Sequence, residues 1–140
     1  MNQERSLKPA QKFPITSSQI DLVVAKFYAR LRIHPDLAPI FANHIEDWPP
    51  HEHKISQFWH NAIGMKRGYT GNPQQTHMKA RDIKTAHFAI WLAIFDEVLY
   101  DCLPRHTAQC WSELAHRIGR ALKISIAQRD IPTDAPPQLS

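Results

Sequence analysis

Apolar residues return at helical spacing in four stretches of this chain, with polar residues between them. The first stripe is Ile20, Val23, Val24, Phe27, Tyr28 and Leu31, and Lys26, Arg30 and Arg32 fall off it. Recurrence at three and four residues predicts an amphipathic helix. Thr16, Ser17 and Ser18 offer a hydroxyl ahead of it that can accept from an orphan first-turn N–H. Pro35 disfavours helical geometry at His34 and so ends the helix. The same proline suits the first turn of a short second helix over PDLAPIF, which Pro39 keeps brief.

The next stripe runs through His51, Ile55, Phe58, Trp59, Ala62 and Met65 or Lys66. Asp47 is its candidate N-cap, Pro49 and Pro50 fit its first turn, and Glu52 adds negative charge near the positive helix end. Gly64 and Gly68 end the regularity, and GYTGNP reads as a turn. Little periodicity follows, so a weakly structured segment is expected around residues 69–81, with His77 in a loop. Asp82 is a candidate cap for a strongly aromatic stripe, Phe88, Trp91, Leu92, Phe95, Val98, Leu99 and Cys102. Pro104 separates it from the last stripe, Trp111, Leu114, Ala115, Ile118, Leu122 and Ile126.

Four long helices and one short one with wide apolar stripes predict an all-α packed domain. Only 4 glycines against 11 prolines argue against a sheet protein with many tight turns. A chain of 140 residues is one domain by length. The expected organisation is a loosely held extension over 1–14, a folded unit over 15–130 and a frayed tail over 131–140.

Charge changes the picture little. The formal net charge is +4, and no run of Lys/Arg reaches five. Scattered basic residues describe a solvated surface rather than a nucleic-acid-binding face. No run approaches the roughly 18 apolar residues of a membrane helix, so no membrane partner is expected. The N-terminal MNQERSLKPAQKF has no apolar segment of a secretory signal. The expected location is cytoplasmic, with Cys102 and Cys110 reduced. With no apolar patch legible, a monomer is expected.

Candidate chemistry gathers around the histidines, of which there are 9. His51 stands one turn before Ile55 on an apolar face, where alone it is most simply a hydrogen-bonded core histidine. His77 alone is most simply an exposed loop residue. Together they can face one space across a helix and a loop, and Trp48, Phe58, Trp59 and Tyr69 could wall a flat apolar ligand there. Neutral imidazole is a common metal ligand, and heme iron is often held by a single histidine. Tyr28 and Trp91 are the polar aromatics on buried stripes; aimed at one point, they would stabilise a partly anionic ligand by hydrogen bonds in a dry site. Cys102, His106 and Cys110 are spaced by four, but three ligands leave a structural zinc incomplete and Pro104 breaks the register. The chain carries no nucleotide loop, HExxH motif or nucleophile elbow.

The segments KFYARLR, HPDLAPIF, DWPPHEHKISQFW, GYTGNPQQTH and HFAIWLAIF, in this order over roughly residues 20–99, resemble the truncated hemoglobins of the third group. The absence of the glycine motifs that flank the loops of the other two groups agrees. The resemblance implies a globin-like, truncated two-over-two helical sandwich around heme b. In it, His77 matches the proximal iron ligand. Tyr28 matches the distal tyrosine, Trp91 the distal tryptophan, and His51 the distal histidine that often gates the pocket. Phe41 matches the phenylalanine that packs on the heme face. Ile55, Phe58, Trp59, Tyr69 and Phe88 fall to the pocket lining. Lys54, Lys79 and Arg81 are the candidates for the heme propionates.

The function this implies is binding of O₂, NO and CO at open iron. One alternative is a heme enzyme that dioxygenates NO or uses peroxide, with electrons from a separate reductase. A cofactor-free helical interaction module is the third reading, resting on the amphipathic pattern alone.

Overall fold

A computed structural model describes residues 11–64 and 71–131. Among them the chain forms six helices and no strand: α1 (Ser17–Leu31), α2 (Ala38–His44), α3 (Trp48–Ile63), α4 (Pro73–Lys79), α5 (Thr85–Cys102) and α6 (Arg105–Arg129). The all-α expectation holds.

Helix α1 starts where its hydroxyl cap is expected. The Thr16 side chain accepts from the Gln19 N–H, while the Gln19 side chain accepts from the Thr16 N–H, a reciprocal capping box. The face carrying Ile20, Val23, Val24, Phe27, Tyr28 and Leu31 is buried throughout. It packs on α3 and on α5, and α5 in turn packs on α6. The result is one helical pair, α1 and α3, over another, α5 and α6. The core fills with Phe95, Val98 and Leu99 of α5, Trp111, Leu114 and Ala115 of α6, and Trp59 and Ile63 of α3. At Gly119 the α5–α6 approach is close, and an added Cβ would stand 3.1 Å from Leu92 Cδ1.

Ion pairs on the rim fix the same pairings. Arg30 of α1 reaches Asp101 of α5 at 2.7 Å, and Arg32 pairs with Glu52 of α3 while its guanidinium lies 4.7 Å from the Trp48 ring centre. Helix α3 ends at Gly64, whose φ of 90° is the left-handed geometry that favours glycine. Asp47 occupies the N-cap position of α3 but makes no side-chain cap bond.

Four expectations need correction. The second helix begins at Ala38 rather than Pro35, because residues 35–37 form a turn in which His34 Nδ1 accepts from the N–H groups of Asp36 and Leu37. The segment holding His77 is a helix, not a loop: Asn72 caps it through a hydrogen bond to the Gln75 N–H, and Pro73 occupies its first turn. Asp82 does not cap α5; Lys84 holds that position, and Asp82 instead accepts from Asn43 and pairs with His44 of α2. The end of the expected 1–14 extension is held in place. Phe13 is a core residue, Lys12 N–H donates to the Ile63 carbonyl, and its ammonium donates to that of Ala62. These bonds satisfy carbonyls left open at the C-terminus of α3.

Candidate functional site

The four longer helices, with α2 and α4, enclose a cavity of about 560 Å³. Its volume falls in the range of small-molecule and cofactor sites. Phe27, Phe41, Ile55, Phe58, Phe88 and Leu122 are among the apolar side chains around it, and Tyr28, His51, His77 and Trp91 all line it. Residues from every described helix thus meet at one space.

His77 enters from α4. Its Nδ1 stands 2.6 Å from the Pro73 carbonyl one turn earlier. A carbonyl can only accept, so Nδ1 carries the proton and Nε2 presents a lone pair. A backbone carbonyl holding the far nitrogen is the usual way in which a ligating histidine is oriented. Burial pushes the His77 imidazole below the usual histidine range, and the bond to Pro73 opposes this in part. The ring is therefore neutral near pH 7, as coordination requires. Phe88 flanks it, with ring centres 5.9 Å apart.

A second polar group is built from α1 and α3. The Tyr28 hydroxyl lies 3.1 Å from His51 Nε2. Burial raises the Tyr28 phenol well above its ordinary value, so it stays a neutral O–H. Burial and then the Lys54 ammonium push His51 down, so it too is neutral near pH 7. Phe41 and Trp48 pack against Tyr28, and Trp48 also packs against His51. Trp48 braces this pair from behind and does not itself line the cavity.

Trp91 is held by rings. It stacks on Phe95 with planes 8° apart, Phe95 stacks on Trp59, and Phe27 meets Trp91 edge-on. Such packing locks the indole, while Trp91 keeps one side towards the cavity.

Of the residues singled out in the sequence, the cavity brings together Tyr28, Phe41, His51, Lys54, Ile55, Phe58, Trp59, His77, Lys79, Phe88 and Trp91. Arg81 is exposed and does not line it. Tyr69 lies outside the described residues. The cavity also takes in His44, Ile45, Ile83 and His87, which the stripes did not mark. These four sit at helix ends and in a connection, where periodicity carries no signal. Cys110 Sγ lies 3.6 Å from His106 Nε2, away from this cavity.

No protein-family model matches the chain. The group 3 truncated hemoglobin ctb of Campylobacter jejuni is 34% identical over 89 residues, which make up 61% of this chain and 70% of that protein. The crystal structure of the group III truncated hemoglobin from Campylobacter jejuni superposes with a TM-score of 0.77 at 28% identity, over 83% of this chain and 95% of the other. The X-ray structure of a thermostable hemoglobin from the actinobacterium Thermobifida fusca shares the fold, with a TM-score of 0.59 at 21% identity over 84% of this chain and 93% of the other.

Proposed function

The chain belongs to the group III truncated hemoglobins, and from that premise we propose that its cavity holds heme b through His77 and that the loaded protein binds O₂, NO and CO. Membership in the family supports heme-based gas binding in general; the residue roles rest on the geometry of this chain. The observation that carries the reading is a single apolar cavity lined both by a histidine with a free-facing Nε2 and by a Tyr28–His51 pair.

The residues present fit the group. The walls are mainly apolar and aromatic, as a flat porphyrin requires, and Lys54 and Lys79 are the lining cations that could meet its carboxylates. When bound, heme supplies an iron that coordinates a diatomic gas. His77 would hold that iron, its ring fixed by the Pro73 carbonyl. Tyr28 would donate its O–H towards the gas, since its raised pKa keeps the proton on oxygen. Trp91 offers an indole N–H, a donor only. His51 shares the Tyr28 hydroxyl and stands where it can redirect it.

The same donors support a second reading. A pocket rich in hydrogen-bond donors favours activation over reversible carriage. Dioxygenation of NO or turnover of peroxide would then follow, with electrons from an external reductase. We take residues 15–130 as the globin unit, with Lys12 and Phe13 of the preceding segment packed onto it, working as a monomer in the cytoplasm. No helix among the described residues is long and apolar enough to cross a membrane.

Hemin titration of the purified chain tests the reading. An intense Soret band at one equivalent, shifted by CO after reduction, is expected. A chain that takes up no heme would overturn it in favour of a cofactor-free module. Consumption of NO with a reductase present would favour the enzyme; reversible oxygenation without turnover would favour carriage or sensing.

A further inference from the structure

Arg129, at the end of α6, has a side chain only 2% exposed. A buried guanidinium is costly unless its charge and donors are matched. Here all of them are. Nε donates to Asp130 Oδ1 at 2.8 Å and Nη2 to Asp130 Oδ2 at 3.1 Å. Nη1 donates to the carbonyls of His77 at 3.0 Å and Ala80 at 3.1 Å, and Nη2 also donates to that of Ile83 at 2.8 Å. A guanidinium has five N–H donors in a rigid fork, and each has a partner. Arg129 in turn holds the Asp130 carboxyl below the usual carboxylate range.

The three carbonyls belong to the segment that carries the proximal histidine. Helix α4 has seven residues, too few to be stable by itself. It packs on α6, and the chain from Ala80 to Lys84 that follows it has no regular helix. The position of His77 therefore depends on what grips this segment from outside. Helix α6 provides a fixed base, because Ile126, one turn before Arg129, is fully buried. The other ion-paired arginines, Arg30 and Arg32, meet carboxylates at the rim and grip no such connection.

We propose that Arg129 is the positioning residue for the proximal histidine: its guanidinium, closed by Asp130, straps the α4–α5 connection to α6 and so sets where His77 stands in the cavity. The role of His77 as iron ligand rests on the function proposed above; the strap itself does not. Replacement by lysine would keep the charge but lose the fork, since an ammonium has three donors and no plane.

Hydrogen exchange on the heme-free full-length chain tests the strap directly. In Arg129→Gln, amides of residues 76–84 should exchange about tenfold faster while those of α1 and α5 keep their rates. Arg129→Lys should show the same local rise, smaller in size. In the heme-loaded ferrous protein, the iron–histidine stretching band should shift or broaden in both variants, and heme loss to a scavenger should speed up. Arg30→Gln, which removes the ion pairs of α1 with Glu97 and Asp101 of α5, should change neither the band nor the local exchange. Unchanged exchange at 76–84, a uniform rise along the chain, wild-type exchange in Arg129→Lys, or an equal band shift in Arg30→Gln would each overturn the proposal. A wild-type chain that takes up no heme would defeat the functional reading instead, and the exchange measurement would still decide the strap.

Discussion

The Tyr28 hydroxyl stands 3.1 Å from His51 Nε2, and the two rings meet edge to face at 89°. One O–H cannot serve two acceptors at full strength. Tyr28 either donates to His51 or turns towards a gas in the cavity, while the His51 ring N–H, on the other tautomer, could donate to Tyr28 and free its proton. In either case the phenol keeps its proton, because burial raises its pKa. Tyr28→Phe should therefore raise the O₂ dissociation rate, by about tenfold for each ~1.4 kcal/mol of stabilisation lost. Stopped-flow displacement of O₂ by CO reads this directly. An unchanged rate would remove Tyr28 from the role of donor.

His77→Ala removes the one lining imidazole whose Nδ1 is fixed by a carbonyl one turn back on its own helix. Heme affinity should drop steeply, and the Soret band should broaden or vanish after gel filtration. Adding free imidazole should restore part of the spectrum, since the cavity around the missing ring stays apolar. A variant that keeps its heme and its spectrum would mean that another lining histidine, His44, His51 or His87, ligates the iron.

Much of this was legible in the sequence, and the reasons are local. The α1 stripe, its Thr16 cap and the Gly64 stop each follow from a side-chain property that acts within one turn. Tyr28, His51 and Trp91 could be marked because they sit at apolar positions of long helices. Helix α4 escaped because seven mostly polar residues have no stripe, although Asn72 before Pro73 is a cap-and-first-turn signal that was there to be read. Spacing puts Trp48 near the site but cannot tell lining from backing. Arg129 could not be found at all: the carbonyls it grips lie 46 to 52 residues away, and a basic residue at a helix end reads as an ordinary solvated cap.

Packing between α5 and α6 gives a stability test that leaves the site chemistry alone. Gly119 is buried against Leu92, and even a single methyl would press to 3.1 Å from Leu92 Cδ1. Gly119→Val adds two further carbons at that contact. It should cost about 1–3 kcal/mol by overpacking. Thermal melts of the heme-free chain would show it, and a paired Leu92→Ala change should recover part of the loss. A variant as stable as the parent would mean that the helices separate there at little cost.

Acid should destabilise the heme-free chain in two separate windows. His51 and His77 both have folded pKa values below their ordinary value, chiefly through burial. The unfolded chain then binds protons that the folded chain declines, so stability rises with pH across that window. It is full above about pH 6.5, the unfolded histidine value, and declines as pH falls towards the folded values. Asp82 acts lower. Its folded pKa is depressed, first by the His44 hydrogen bond, so its contribution is present above about pH 3.9 and is lost as pH falls through the folded value. Melting temperature against pH should thus bend twice. His51→Leu should flatten the upper bend in part, because His77 still contributes there, and should leave the lower one in place. Asp82→Asn should do the reverse. A His51→Leu chain with the parent's slope between about pH 7 and 5 would mean that His51 takes its proton as readily folded as unfolded.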